Sequence, residues 1–141
     1  MKWWLWLLEK WRAFRKPLSL GQRGERAAER FLKRLGYLIL AKGDRSKLGE
    51  IDLVAVDPRG VHGRTLVFVE VKTRSTQDAG HPADAVDLHK QRRLTRAAQG
   101  YIKRHQLHET PARFDVIAIT WPASQQAPHI EHFCHAFEAT D

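Results

Sequence analysis

The chain has 141 residues, 43% of them hydrophobic and 28% charged, an ordinary globular composition with length enough for one domain and its core. Its single cysteine, Cys134, excludes an internal disulfide and fits a reducing cytoplasm, where we expect the protein. A net charge of +8 and a pI near 10.1 argue for a polyanionic partner, because basic side chains neutralise phosphates and release counterions; nucleic acid and an anionic membrane both qualify.

Residues 1–17 read as an extension and 18–141 as the main domain. The opening MKWWLWLLEKWRAFRK holds four of the five tryptophans, and Pro17 closes it. Trp3, Trp4, Leu7, Leu8, Trp11 and Phe14 fall at helical spacing, whereas Leu5 and Trp6 blur the pattern, so the helix is only moderately amphipathic. The uncharged stretch from Trp3 to Leu8 is too short to span a bilayer, and no small-residue cleavage site follows it. Three readings remain: packing on the domain, self-association, or peripheral membrane contact through residues 1–16.

Ser19 with Gln22 is a capping-box pattern, so a core helix is expected from there to Gly36, with Leu20, Gly24, Ala27, Ala28, Phe31 and Leu35 along one face. Glu25 borders that stripe. It reads equally as an exposed first-turn acid or as a ligand reaching toward chemistry elsewhere. Tyr37–Leu40 should form a short strand, followed by a basic loop with Lys42, Arg45 and Lys47.

Two apolar runs come next, Ile51–Val56 and Leu66–Val71, and Pro58, Gly60 and Gly63 between them are turn residues that predict a hairpin. A pivot at Val61 sets Asp52 opposite Glu70 and Glu50 opposite Lys72. Side-chain alternation then puts all four on one face. Glu50 can neutralise Lys72 as its structural partner, but Asp52 and Glu70 are like charges side by side in strands that should be apolar. Such charge is costly unless one group is protonated or a cation bridges them. Carboxylate oxygens, a backbone carbonyl and water suit a hard ion such as Mg2+ or Mn2+, and these strands carry no His and Cys set for zinc.

Thr73–His81 reads as a loop, and Pro82 suits a first helical turn. A long helix is expected over 83–105 with Ala83, Val86, Leu94, Ala97, Ala98 and Tyr101 as its stripe. Lys90 falls on that stripe with Arg93 beside it: either a snorkelling lysine, or a pair facing the carboxylates or a phosphate backbone. Phe114–Thr120 reads as a further strand and His129–Phe137 as an edge strand. His129, His132 and His135, spaced by three, do not share one face of a strand, so a zinc site is not expected there. The chain has no glycine-rich phosphate loop, serine elbow, internal repeat or low-complexity tract.

Gly21–Glu25 with Ala28, Gly49-Glu50-Ile51-Asp52-Leu53, Val67-Phe68-Val69-Glu70-Val71-Lys72, Lys90 with Arg93, and Arg113-Phe114-Asp115-Val116-Ile117 together resemble the YraN-like family of uncharacterised bacterial proteins. The resemblance covers nearly everything after Ser19. That family is placed among restriction-endonuclease-like proteins, whose signature of an acidic residue, a gap, then Asp or Glu, any residue, and Lys is matched by Asp52 and Glu70-Val71-Lys72. It implies an α/β fold with an αβββαβ core and a mixed central sheet flanked by helices. It further implies Asp52 and Glu70 as metal ligands with the Val71 carbonyl, Lys72 orienting or activating the attacking water, and Glu25 as the acidic residue of the first helix. Gly43 stands where the family usually has Asn, and both tolerate left-handed backbone. The expected activity is a metal-dependent nuclease hydrolysing phosphodiester bonds in DNA, favoured over RNA, including branched or damaged DNA, with no small-molecule cofactor. Arg45, Lys47, Arg74, Lys90 and Arg93 are the expected phosphate contacts. The alternative is a non-catalytic nucleic-acid-binding protein on the same fold.

Overall fold

Ser19 opens the first core helix as its side chain predicts. In the computed structural model, which describes residues 2–14, 17–75, 86–122 and 127–140, the Ser19 Oγ accepts from the Gln22 amide at 3.2 Å and the Gln22 Oε1 accepts from the Ser19 amide at 2.9 Å. Both groups of the capping box are thereby satisfied. This helix, α2, spans Leu20–Arg34 and follows α1, Trp3–Phe14. Its far end is a Schellman motif: the Gly36 amide donates to Lys33 O and the Tyr37 amide to Leu32 O, each at 3.0 Å.

The buried stripe of α2 is Gly24, Ala27, Ala28 and Leu32, so it is rotated from the expected one. Leu20 and Leu35 are exposed, and Leu32 is fully buried in their stead. Small residues explain the rotation. A Cβ on Gly24 would lie 1.8 Å from the Thr73 hydroxyl, so only glycine lets α2 sit this close to the sheet.

Five strands follow: β1 Leu38–Ser46, β2 Gly49–Gly60, β3 Gly63–Arg74, β4 Ala112–Thr120 and β5 His129–Phe137, with α3, Leu88–Arg104, between β3 and β4. They form one sheet in the order β1-β2-β3-β4-β5, antiparallel except for the parallel β3–β4 pair, whose connection runs through α3. The expected α/β fold with a mixed sheet and an αβββαβ order is therefore the observed one. The sheet divides the core in two: Ile51, Val54, Leu66, Phe68, Leu94 and Tyr101 among the residues packed on the α3 side, and Ala28, Leu32, Leu53, Val67, Val69 and Ile117 among those on the α2 side.

The hairpin has the expected register. Leu53 pairs with Val69, Val54 with Phe68, Ala55 with Val67, Val56 with Leu66 and Asp57 with Thr65, all about a pivot at Val61, before a slip between Asp57 and Gly60 tightens the turn. Two other expectations fail. The basic loop after Leu40 is strand as far as Ser46, because β2 begins at Gly49 and its first residues offer a full hydrogen-bonding edge to 42–46. Likewise Thr73 and Arg74 continue β3, paired with Ile119 and Thr120 of β4. Gly43 takes the left-handed conformation its position in the pattern implies, with φ +58.

Helix α3 is capped by Asp87, whose Oδ1 accepts from the Lys90 amide at 2.8 Å. Pro82 and Ala83, expected at its start, and most of the expected loop, 76–81, lie outside the described residues. Residues 2–12 of α1 are all exposed, so of the three readings of this segment, packing on the domain is the one the described residues do not match. No described helix is long and apolar enough to cross a membrane.

Candidate functional site

The hairpin register carries Asp52 to the end of β3 where Glu70 and Lys72 stand. The Asp52 Oδ2 accepts from the Val71 amide at 2.8 Å, and its carboxyl lies close to that of Glu70. Burial, first, and then the charge of Glu70 push the Asp52 pKa up to about 7, against the Val71 amide, which favours the ionised form. Strict alternation breaks here, since Ile51 and Leu53, two positions apart, belong to opposite core clusters. Beside them in β1, Gly43 has its left-handed backbone. Asp52 is half-buried and borders a cleft beside α2.

Both flanking helices supply charged groups. From α2, Glu25 lines a cleft of about 220 Å³ with Asp52, Leu18, Gln22, Glu29 and Lys42. Burial, and then the charges of Glu50 and Glu70, raise its pKa above the usual carboxylate range. From α3, Lys90 forms an ion pair with the buried Glu70. Burial opposes the Lys90 charge, but the hydrogen bond and charge of Glu70 outweigh it and hold its pKa above the lysine norm. The Lys72 amine lies within hydrogen-bonding reach of Lys90, and burial followed by that neighbouring charge lowers its pKa. Lys90 therefore faces the carboxylates.

Of the sequence-predicted residues, Glu25, Asp52, Glu70, Lys72 and Lys90 are brought together. Val71 takes part through its amide, whereas the expected contact is through its carbonyl. Glu50 requires correction: it pairs with Arg45 across β1–β2, Nε to Oε2 at 3.4 Å, and not with Lys72. The reason is the longer β1, which presents Arg45 directly opposite Glu50 and leaves Lys72 to the α3 side. Arg93, exposed, follows Lys90 one turn later and borders a small pocket with Glu50, Lys90 and Leu94. Lys47 is exposed in the β1–β2 turn. Arg74 ends β3, two residues beyond Lys72.

Residues 24–119 match the model of the uncharacterised protein family UPF0102. The chain belongs to the UPF0102 family. It is similar to UPF0102 proteins of Rhodopirellula baltica, 49% identical over 122 residues (86% of this chain and 71% of the relative), and of Geobacter sulfurreducens, 49% identical over 119 residues (84% and 88%). A Caldicellulosiruptor saccharolyticus relative is 39% identical over 119 residues, 84% of this chain and 97% of that one. The matched region of the UPF0102 chain begins just before Glu25 and includes every charged residue gathered at the Asp52 site. Helix α1 and strand β5 lie outside it.

A second charged cluster escaped the sequence reading. The fully buried Asp115 of β4 accepts from Arg113 Nε and the His135 amide on Oδ1, each at 2.9 Å, and from Arg113 Nη2 at 3.1 Å and His132 Nε2 at 2.8 Å on Oδ2. Arg113 also donates to Asp57 and to the Tyr37 hydroxyl, each at 2.9 Å. Burial works against the Asp115 charge, but His132, Arg113 and the His135 amide prevail and keep its pKa below the usual range. Burial pushes the Tyr37 phenol up to about 12. Asp115, His132 and Cys134 offer ligand atoms within 4.8 Å of one another. Both Asp115 oxygens are nevertheless taken by donors, one of them a guanidinium, so the arrangement is a satisfied ion-pair network that ties β2, β4 and β5 together. The three histidines do not gather: His129 faces Glu131 and His135 faces Glu138. The available signal was Asp115 itself, a carboxylate in the apolar run Phe114–Thr120 with a basic residue two positions before it.

Proposed function

We propose that this UPF0102 chain is a metal-dependent nuclease of the restriction-endonuclease-like kind that hydrolyses phosphodiester bonds in DNA, including branched or damaged DNA, in the cytoplasm. The observation that carries the reading is the contact between the Asp52 and Glu70 carboxyls at the end of a buried hairpin. Two carboxylates forced together at the cost of a raised pKa are the electrostatic counterpart of a divalent-cation site, and their all-oxygen donor set suits Mg2+ or Mn2+. Asp52, Glu70 and the Val71 main chain would hold the ion, which would supply charge stabilisation at the phosphate being attacked.

The chain's own groups account for the remaining needs. Lys72, its amine kept less basic than usual by burial and by Lys90, sits beside the carboxylates, where it can orient a water and take up or release a proton. Lys90, charged, is placed to meet phosphate oxygens once Glu70 is otherwise engaged. Glu25, on the cleft wall next to Asp52, orients water on the opposite side. Arg45, Lys47, Arg74 and Arg93 hold the backbone without reading bases, since phosphate contacts carry no sequence information.

The test is a cleavage panel of linear, nicked and junction DNA with Mg2+ or Mn2+. We expect strand cleavage that Asp52→Ala and Lys72→Ala each reduce by roughly a hundredfold or more while DNA binding persists. Cleavage that survives Asp52→Ala would sink the mechanism. A second reading is favoured by the Lys90–Glu70 pair, which already neutralises one of the two carboxylates. On that reading the site is structural and the protein binds nucleic acid without cutting it. Absence of heat on titrating Mn2+ into the protein, with DNA binding unchanged by Glu70→Ala, supports this alternative.

A further inference from the structure

Helix α1 is the one described element whose large apolar side chains have found no protein to pack on. Trp3, Trp4 and Trp11 are 66%, 52% and 70% exposed, and Leu8 is 52% exposed. On a helical projection Trp3, Leu7, Trp11, Trp4 and Leu8 occupy one continuous arc, and Lys10 and Arg12 lie at its two borders. Lys10 stacks its ammonium over the Trp6 ring, 4.4 Å from the centroid. At 12 residues the helix is about 18 Å long, too short to cross a bilayer but suited to lying in its surface.

We infer that α1 docks on an anionic lipid bilayer, lying in the headgroup layer with its tryptophan and leucine arc turned to the hydrocarbon and its basic residues against the lipid phosphates. Charge selects this occupant. Residues 1–16 carry Lys2, Lys10, Arg12, Arg15 and Lys16 against a single acid, Glu9. Two copies of such a helix meeting face to face would bring like charges together, whereas an anionic surface neutralises them at a gain for each basic residue. Nucleic acid would satisfy the charge but offers no apolar phase for Leu7 and Leu8. Tryptophan, an apolar body with one N–H donor, fits the boundary between headgroups and acyl chains, where both parts of the ring are served.

The experiment is cosedimentation of the full chain with vesicles of phosphatidylcholine alone and of phosphatidylcholine mixed with phosphatidylglycerol. Intrinsic tryptophan fluorescence is followed in parallel. Binding is expected on the anionic vesicles with a blue-shifted emission, and the triple variant Trp3→Ser, Trp4→Ser, Trp11→Ser should lose roughly tenfold or more in partitioning. The pair Lys10→Glu, Arg12→Glu should weaken binding by about fivefold per lost basic charge, an effect that added salt erases. These substitutions fall on exposed positions, so circular dichroism should show the domain unchanged. Equal binding by the triple variant would assign vesicle affinity to the basic domain surface and overturn the inference. Sedimentation equilibrium showing a dimer that the triple variant abolishes, or a loss of DNA binding in that variant without loss of vesicle binding, would overturn it also. None of these readouts involves DNA cleavage, so the result stands apart from the proposed activity.

Discussion

Asp52 is the residue at which structure and chemistry pull in opposite directions. The Val71 amide stabilises its ionised form, and burial beside Glu70 opposes it more strongly. A carboxyl whose folded pKa, about 7, exceeds the ordinary value of 3.8 contributes stability that is fully present below the lower value and is lost as pH rises through the upper one. Metal-free protein should therefore lose stability, on the order of a few kcal/mol, across that interval relative to Asp52→Asn, in which the titration is absent. Urea denaturation of both proteins at successive pH values measures the difference. Adding Mn2+ should flatten the wild-type slope, because a bound cation keeps both carboxylates ionised. A slope identical in the two proteins would mean that Asp52 is ionised throughout.

Among the elements, α2 is held against β3 by the absence of a side chain. Gly24 meets Thr73 so closely that an added methyl has nowhere to go, and Ala27 and Ala28 continue the approach. Gly24→Ala should destabilise by about 1–3 kcal/mol although alanine is the better helix former. Thr73→Ala in the same chain should recover part of that loss, which a double-mutant cycle by denaturant unfolding would show. Additive effects would place the strain elsewhere. The hairpin and α2 were legible from local signals: Ser19 and Gln22 for the cap, Gly36 for the stop, and Pro58, Gly60 and Gly63 for a turn whose pivot sets the register. The start of strand β1 was legible too, but its extension was not, because residues 42–46 are too polar to announce a strand and become one only through the free edge of β2. That extension also took Glu50 away from Lys72 and gave it to Arg45.

For the whole molecule, a charge of +8 concentrates the effect of many weak contacts rather than one strong one. DNA affinity should fall steeply with salt, and Arg93→Ala should reduce the slope of log affinity against log salt by roughly one while weakening all sequences alike. Filter binding across a salt series checks this. An unchanged slope would remove Arg93 from the interface. The expectation of a polyanionic partner rests on composition, which says nothing of where such a partner would bind, and the two clusters show why. Lys72 and Lys90 gather near the carboxylates, whereas Arg113 is wholly engaged inside the Asp115 network.

By itself the sequence determined the α/β order of elements and the hairpin register that sets Asp52 opposite Glu70, because the turn chemistry behind that register is local and acts before any packing. Only the tertiary structure decided that Lys90 pairs with Glu70, that Glu25 lines the same cleft and that Asp115 anchors an ion-pair network with Arg113 and His132. Apart from the contact of Asp115 with Arg113, each of these joins residues well separated in the chain. Which of several charged side chains meets a buried carboxylate depends on how the helices seat on the sheet, and that seating is set by Gly24, the alanines and the two core clusters acting together.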